Sequence, residues 1–120
     1  MMKNFDYEKL PIVEIVNEII LDSSKRGASD IHFNPMNDNM KVRIRIDGEL
    51  QDYTMVPNTL KKNLITRVKI MSGMNSTEVR LPQDGAIKTV IKDINLDLRV
   101  SSIPTSNGEK IVIRILDYSM

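Results

Sequence analysis

Two arginines are the residues of this sequence whose setting most readily suggests chemistry. Arg99 stands in the segment LDLRVS and Arg114 in IVIRIL, each between apolar neighbours. An arginine at the centre of a strand either forms an ion pair on a solvated sheet face or binds an anion. Phosphate is the anion best matched to the planar fork of the guanidinium group. The spacing of the two residues leaves both interpretations open.

Other kinds of catalytic site find little support. His32 is the single histidine, and no serine or cysteine nucleophile pattern surrounds it. Because it lies two residues from Asp30, we expect a structural hydrogen bond rather than a catalytic or metal-binding role. The acidic residues are scattered, so we predict neither acid–base catalysis nor a metal site.

The bulk properties indicate one folded domain. The chain has 120 residues, 41% of them hydrophobic and 28% charged, with a net charge of +1 and no cysteine. It contains no GxxxxGK[ST] loop, so we expect it to lack a phosphate cradle of its own and to be non-catalytic, without a cofactor. No apolar run approaches the roughly 20 residues that a membrane-spanning helix needs. A cytoplasmic location without direct membrane insertion is the default expectation.

Two helices are predicted. The first begins at Pro11, carries apolar residues at helical spacing and ends at Gly27. Its apolar stripe consists of Ile12, Ile15, Val16, Ile19 and Ile20. The second begins at Pro57 and Asn58 and ends at Ser72-Gly73. Its predicted buried side is Leu60, Leu64, Val68 and Met71. We expect its cations to form a solvated face or a contact to the next subunit; they are Lys61, Lys62, Arg67 and Lys69.

Short strands account for most of the remaining sequence. Alternation predicts strands over 30–33, 40–47, 87–91, 94–100 and 110–116. Asp47-Gly48 and Lys92-Asp93 mark tight turns. A two-residue loop at Asp47-Gly48 would put Leu50 on the same face as Arg45, so we expect a bulge or a longer turn to shift the register there. Residues 74–85 are predicted to be a loop in which Asp84-Gly85 turns the chain. Residues 1–10 are predicted to be a loose arm or linker.

These elements predict an α+β domain. An antiparallel sheet of about five to six strands, with two main helices on one face, would bury the Ile, Val and Leu positions. The opposite face would carry polar residues such as Arg43, Arg45, Asp97 and Arg99, exposed or turned towards a partner.

Five blocks in a fixed order resemble one family, the ATPases of type II secretion and type IV pilus assembly. The blocks are ASDIH at 28–32, RIRIDG at 43–48, RLPQDG at 80–85, LRVSSIPT at 98–105 and GEKIVIRIL at 108–116. The resemblance implies that residues 11–118 form the PAS-like N-terminal domain that precedes a RecA-like motor domain. We expect that motor domain to be absent from these 120 residues.

The resemblance also implies a function for this domain. The intact parent would be a cytoplasmic hexamer held at the membrane by inner-membrane platform proteins. In it, this domain would close over ATP and Mg²⁺ bound to the motor domain of its own or a neighbouring subunit. Arg99 and Arg114 would reach the phosphates. Arg80, Asp84 and Lys110 would be candidate inter-domain or inter-subunit contacts. The sequence departs from the family where arginine is frequent, with Ala86 after PQDG and lysine at position 110.

Two other functions stay open on sequence grounds. A stand-alone PAS-like sensor or protein-interaction domain would need an apolar pocket or a docking surface, and an aromatic content of 4% disfavours the pocket. Nucleic-acid binding through the cations of the second helix is disfavoured by the net charge of +1 and by the lack of stacking aromatics, so we expect no nucleic-acid partner.

Overall fold

The strands of the protein form a single antiparallel sheet. The structure, a computed structural model, describes residues 2–119 and the side chains of residues 2–116. Its elements in chain order are α1 (Ile12–Lys25), β1 (Asp30–Pro35), β2 (Asn39–Ile46), β3 (Glu49–Pro57), α2 (Asn58–Met71), β4 (Gln83–Ile91), β5 (Ile94–Thr105) and β6 (Gly108–Ser119). The strand order is β3-β2-β1-β6-β5-β4, and every neighbouring pair is antiparallel. The predicted α+β class, with two main helices and an antiparallel sheet of about five to six strands, is confirmed.

The two helices end where glycine permits it. The chain after α1 reaches Gly27 at φ 83°, and the chain after α2 reaches Gly73 at φ 78°. Both positions lie in the left-handed region that side chains disfavour, so glycine ends each helix without strain. Pro11 and Pro57 occupy the N-terminal boundaries, as predicted.

The core lies between the helices and one face of the sheet. Ile15, Val16, Ile19 and Ile20 of α1 are fully buried. Alternate strand residues supply the opposing layer; fully or nearly fully buried among them are Ile31, Phe33, Met40, Val42, Ile44, Leu98, Val100, Ile111 and Ile113. The intervening residues of β2, β5 and β6 point to the other side, which we call the open face. The side chains of Arg43, Arg45 and Arg99 lie on that face and remain partly or largely exposed, as the alternation predicted.

The β2–β3 hairpin corrects one prediction. Asp47 and Gly48 have φ values of 51° and 78°, which makes a two-residue turn, and Arg45 pairs directly with Leu50. The register shift lies farther along, between Val42 and Arg43, where it accommodates the buried Tyr53. The bulge predicted beside the turn is therefore wrong, because the pairing adjusts where a large side chain enters the core.

The start of β4 corrects a second prediction. Asp84 and Gly85 do not turn the chain; they belong to β4, paired with Ser101 and Val100 of β5. A Cβ on Gly85 would lie 2.3 Å from the carbonyl oxygen of Ser72, and Ala86 donates its backbone N–H to that oxygen. Glycine is required here because β4 passes directly against the end of α2.

The N-terminal segment, predicted to be loose, lies against the domain. The backbone N–H of Lys3 donates to the carbonyl oxygen of Tyr53, and the hydroxyls of Tyr7 and Thr54 are 2.6 Å apart. The ring of Phe5 packs 6.2 Å from that of Tyr53. Residues 3–7 therefore cover part of β3, one of the two edge strands of the sheet.

Candidate functional site

Arg99 and Arg114 lie directly opposite each other on the open face. The antiparallel register pairs their Cα atoms across β5 and β6, and both side chains are exposed. Their positions follow from alternation, since Leu98, Val100 and Ile113 turn inward on either side of them. The two guanidinium groups therefore extend from the same spot on the sheet.

Neither arginine is neutralised by a close, buried carboxylate. Arg99 Nη1 is 3.5 Å from Asp97 Oδ1, and 58% of the Arg99 side chain is exposed. Within the part of the chain whose side chains are described, no carboxylate lies within 4.0 Å of Arg114. Like charges directly opposite in an antiparallel pair destabilise it. Two facing guanidinium groups can instead hold a shared anion, and phosphate suits their planar donor geometry.

The arginine pair belongs to a row of residues that crosses the sheet. Ala86 pairs with Arg99, Arg99 with Arg114, Arg114 with Asp30, and Asp30 with Arg45. Ala86 thus lies directly beside the pair. Its methyl group adds no charge to this spot.

Asp30 and His32 form the buried polar part of this row. His32 Nε2 is 2.6 Å from Asp30 Oδ2, as expected for a structural hydrogen bond. Arg45 Nε donates to the same oxygen at 3.3 Å, and Ser29 Oγ donates to Oδ1 at 2.8 Å. Burial raises the pKa of the Asp30 carboxyl, but these three hydrogen bonds and the charge of His32 outweigh it, so the pKa lies below its ordinary value. The carboxylate is ionised at neutral pH.

The other arginine of β2 has its own acidic partner. Arg43 Nε donates to Asp52 Oδ1 at 3.1 Å, and Lys41 Nζ lies 3.8 Å from the other oxygen of the same carboxylate. Arg43 and Asp52 therefore form an ordinary surface ion pair, whereas Arg99 and Arg114 are two like charges that face each other.

Arg80, Asp84 and Lys110 do not converge on the arginine pair. Arg80 lies in the loop before β4 with 86% of its side chain exposed. Asp84 is exposed on β4 and accepts a hydrogen bond from Ser101 Oγ at 3.0 Å. Lys110 is half-buried at the start of β6, opposite Ile103.

The loop before β4 is held rigidly by a residue whose role the sequence did not reveal. Gln83 Oε1 accepts from the backbone N–H of Asn75 at 2.9 Å. Its amide nitrogen donates to the carbonyl oxygens of Asn75 and Glu78 at 2.9 and 3.1 Å. These bonds close the loop, so the exposed Arg80 and Leu81 are presented from a fixed backbone.

Lys69 corrects the prediction that the cations of α2 form a solvated face or a contact to the next subunit. Its side chain is fully buried, and its Nζ donates to both carboxylate oxygens of Glu109 at 2.9 and 3.0 Å and to the carbonyl oxygen of Glu78. Lys69 follows Ile65 by four residues, so it shares the buried stripe of the helix. That spacing is the signal that could have identified it. The ion pair ties α2, the loop before β4 and the start of β6 together.

A cleft lies away from the arginine pair, and no cluster of metal ligands lies at the pair among the described residues. A cleft of about 470 Å³ lies between α2 and the β5–β6 turn, lined by residues that include Lys61, Lys62, Ile65, Val79 and Pro104. The residues described by the structure contain no group of three or more His, Asp or Glu side chains that could hold a metal ion. Neither described helix is long and apolar enough to cross a membrane.

Solved structures support the fold. The ATPase DotB of Legionella pneumophila matches with a TM-score of 0.58 over 90% of this chain and 30% of that one. The sequence identity is 14%, so this likeness concerns the fold alone.

Sequence comparisons give a closer relationship. The chain is 44% identical over 111 residues to the type IV pilus assembly ATPase PilB of Acinetobacter baylyi, covering 92% of this chain and 19% of that protein. It is 44% identical over 107 residues to the type II secretion system protein E of Xanthomonas campestris, covering 89% and 19%. The chain thus spans about a fifth of the length of these relatives. The family model described as type II/IV secretion system protein matches residues 6–120, and the chain therefore belongs to that family.

Proposed function

We propose that this chain is the nucleotide-clamping domain of an ATPase that powers type IV pilus assembly or type II protein secretion. The observation that carries the proposal is the Arg99–Arg114 pair. Two exposed guanidinium groups oppose each other, and no carboxylate within the described side chains lies within 4.0 Å of Arg114. Like charges directly opposite in an antiparallel pair are unfavourable for the fold, whereas a phosphate group placed between the two would be held by charge-assisted hydrogen bonds.

The intact protein would use the pair in a cytoplasmic hexamer. ATP and Mg²⁺ would be held chiefly by a RecA-like domain of the same chain or a neighbouring subunit, because this chain has no GxxxxGK[ST] loop. The guanidinium groups would approach the phosphates as the two domains close. Arginines supplied by a separate domain stabilise the charge that develops on a transferring phosphoryl group, so domain closure and nucleotide state would be coupled.

The loop before β4 would supply part of the contact surface of this domain. Arg80 and Leu81 are largely exposed on a backbone that the Gln83 side chain closes. A rigid, exposed arginine beside an apolar residue is typical of an interface, where arginine is enriched. We infer that Arg80, together with Asp84 and Lys110, faces the motor domain or the next subunit, and that inner-membrane platform proteins complete the machine.

The test compares arginine variants in the full-length ATPase. We expect R99Q and R114Q to lower steady-state ATP turnover by at least about a hundredfold, since removal of a group that stabilises transition-state charge has effects of that order. R43Q is the matched control, because Arg43 lies on the same face but is paired with Asp52. Unchanged turnover in both R99Q and R114Q would remove the pair from the site. The chain of 120 residues alone should not turn over ATP above a blank.

A further inference from the structure

Asp30 is a buried carboxylate in the row of paired residues that crosses the sheet from Ala86 to Arg45. Only 7% of its side chain is exposed, and its Cα is the register partner of Arg45 on one side and of Arg114 on the other. The three donors that satisfy it come from Ser29, His32 and Arg45. Arg114, although adjacent, is not among them.

Backbone hydrogen bonds fix the chain just before Asp30. The N–H of Ser29 donates to the carbonyl oxygen of Arg45 at 2.8 Å, and the N–H of Ile115 donates to the carbonyl oxygen of Ser29 at 2.9 Å. Ser29 is thus bonded to both neighbouring strands just before β1 begins. The negative charge of Asp30 therefore stands at a defined position between β2 and β6.

Asp30 also determines where Arg45 can reach. The Arg45 Nε donates to Asp30 Oδ2 at 3.3 Å, and its Nη1 donates to the carbonyl oxygen of Gly48 at 3.0 Å. These two bonds hold the guanidinium between Asp30 and the β2–β3 turn. Without the carboxylate, Arg45 would be free to join the two arginines across the sheet.

We propose that Asp30 is a positioning residue that limits the anion affinity of the Arg99–Arg114 pair, by withdrawing Arg45 and by placing a fixed negative charge beside Arg114. This inference rests on the proposed function. An anion bound by Arg114 lies one strand, about 5 Å, from the backbone that carries Asp30, so the two negative charges repel each other. Such a clamp binds phosphate reversibly, as a domain that must open after each cycle requires.

The test measures the binding of inorganic tripolyphosphate to the 120-residue chain by calorimetry at pH 8 and low salt. We expect D30N to bind at least about fivefold more tightly than the wild type, because it removes one nearby negative charge and releases Arg45. A loss of structure cannot produce tighter binding that still depends on Arg114. R114Q should abolish binding in both the wild-type and the D30N background.

A second pair of variants keeps the proposal testable if D30N does not fold. R45Q and R43Q each remove one positive charge from β2, and the two side chains are 37% and 36% exposed. Only R45Q frees Asp30 to turn towards Arg114, whereas R43Q frees Asp52, which lies on the edge strand β3. We therefore expect R45Q to weaken binding more than R43Q.

The outcomes separate the two hypotheses. If R114Q abolishes binding but D30N binds no more tightly than the wild type, the role of Asp30 is refuted while the arginine pair stands. Equal effects of R45Q and R43Q refute it as well. If R114Q binds tripolyphosphate as well as the wild type does, the arginine pair itself is not the anion site.

Discussion

The buried ion pair between Lys69 and Glu109 provides a sharp test of the structure. In the variant K69M, the Glu109 carboxylate would remain only 8% exposed and would lose its partner. Breaking a buried pair by removing one member costs about 3–5 kcal/mol. The carbonyl oxygen of Glu78 would lose the Lys69 donor too, but the Gln83 amide still donates to it at 3.1 Å, so this loss adds little. We therefore expect K69M to lower the free energy of unfolding by about 3–5 kcal/mol.

The assay is urea unfolding of the 120-residue chain, followed by circular dichroism and analysed with a double-mutant cycle. A domain of this size is stable by roughly 5–15 kcal/mol, so the expected loss is large enough to measure and can leave the variant partly unfolded. The variant K69M/E109M replaces both charges with apolar groups, and we expect it to recover most of the loss because no charge is left buried. K62M, an exposed lysine on the same helix, is the matched control and should change stability by less than about 0.5 kcal/mol. If K69M costs no more than K62M, Lys69 is not in a buried pair and the placement of the loop before β4 is wrong.

Three further predictions concern the sheet. G85A should destabilise the chain by about 2 kcal/mol or more in urea unfolding, because its Cβ would overlap the Ser72 carbonyl oxygen. The control A86G introduces no such overlap and should cost less; equal costs would contradict the close approach of β4 to α2. R99Q and R114Q should leave the free energy of unfolding unchanged or raise it by about 0.2–1 kcal/mol, since each removes one of two facing like charges. A decrease in the free energy of unfolding above about 1 kcal/mol would mean that the arginines stabilise the fold. The pKa of Asp30 is lowered in the folded state, so its contribution to stability should be complete above about pH 4, the ordinary pKa of the group, and lost as the pH falls further. The wild type should therefore lose more stability than D30N as the pH falls below about 4; identical acid profiles would exclude this contribution.

Local patterns predicted most of the elements because local physics decides them. The alternation of β2 and β5, the apolar stripe of α1 and the glycines at 27 and 73 each depend on neighbours within a few residues. The tight turn at Lys92-Asp93 is confirmed as well, with φ values of 49° and 66°. These features required no knowledge of how the strands are ordered.

The features that the sequence did not reveal depend on contacts between distant segments. Asp84-Gly85 is typical of a turn in sequence. The contact of Gly85 with Ser72 could not be predicted, because it is made only when β4 packs against α2. The four-residue spacing from Ile65 could have identified Lys69 as buried, but its partner, Glu109, lies forty residues away, so the ion pair could not be predicted from local sequence. In both cases, the deciding contact joins segments that are distant in sequence.

The geometry of the candidate site could not be predicted from the sequence. The resemblance to the secretion ATPases implies that Arg99 and Arg114 reach the phosphates, and this role stays a prediction. That they face each other depends on the β5–β6 register, which shifts between Asp97 and Leu98. The position of Asp30 beside Arg114 depends on β1 lying between β2 and β6, an order that no local pattern encodes.

The most direct test of the central proposal is a structure of the full-length ATPase assembly with a non-hydrolysable ATP analogue and Mg²⁺. The proposal predicts that guanidinium nitrogens of Arg99 and Arg114 lie about 3 Å from phosphate oxygens of the nucleotide, within hydrogen-bonding distance. Arg43 should remain with Asp52, away from the nucleotide. If both Arg99 and Arg114 instead point into solvent in every nucleotide-bound subunit, this domain does not clamp nucleotide through its arginine pair.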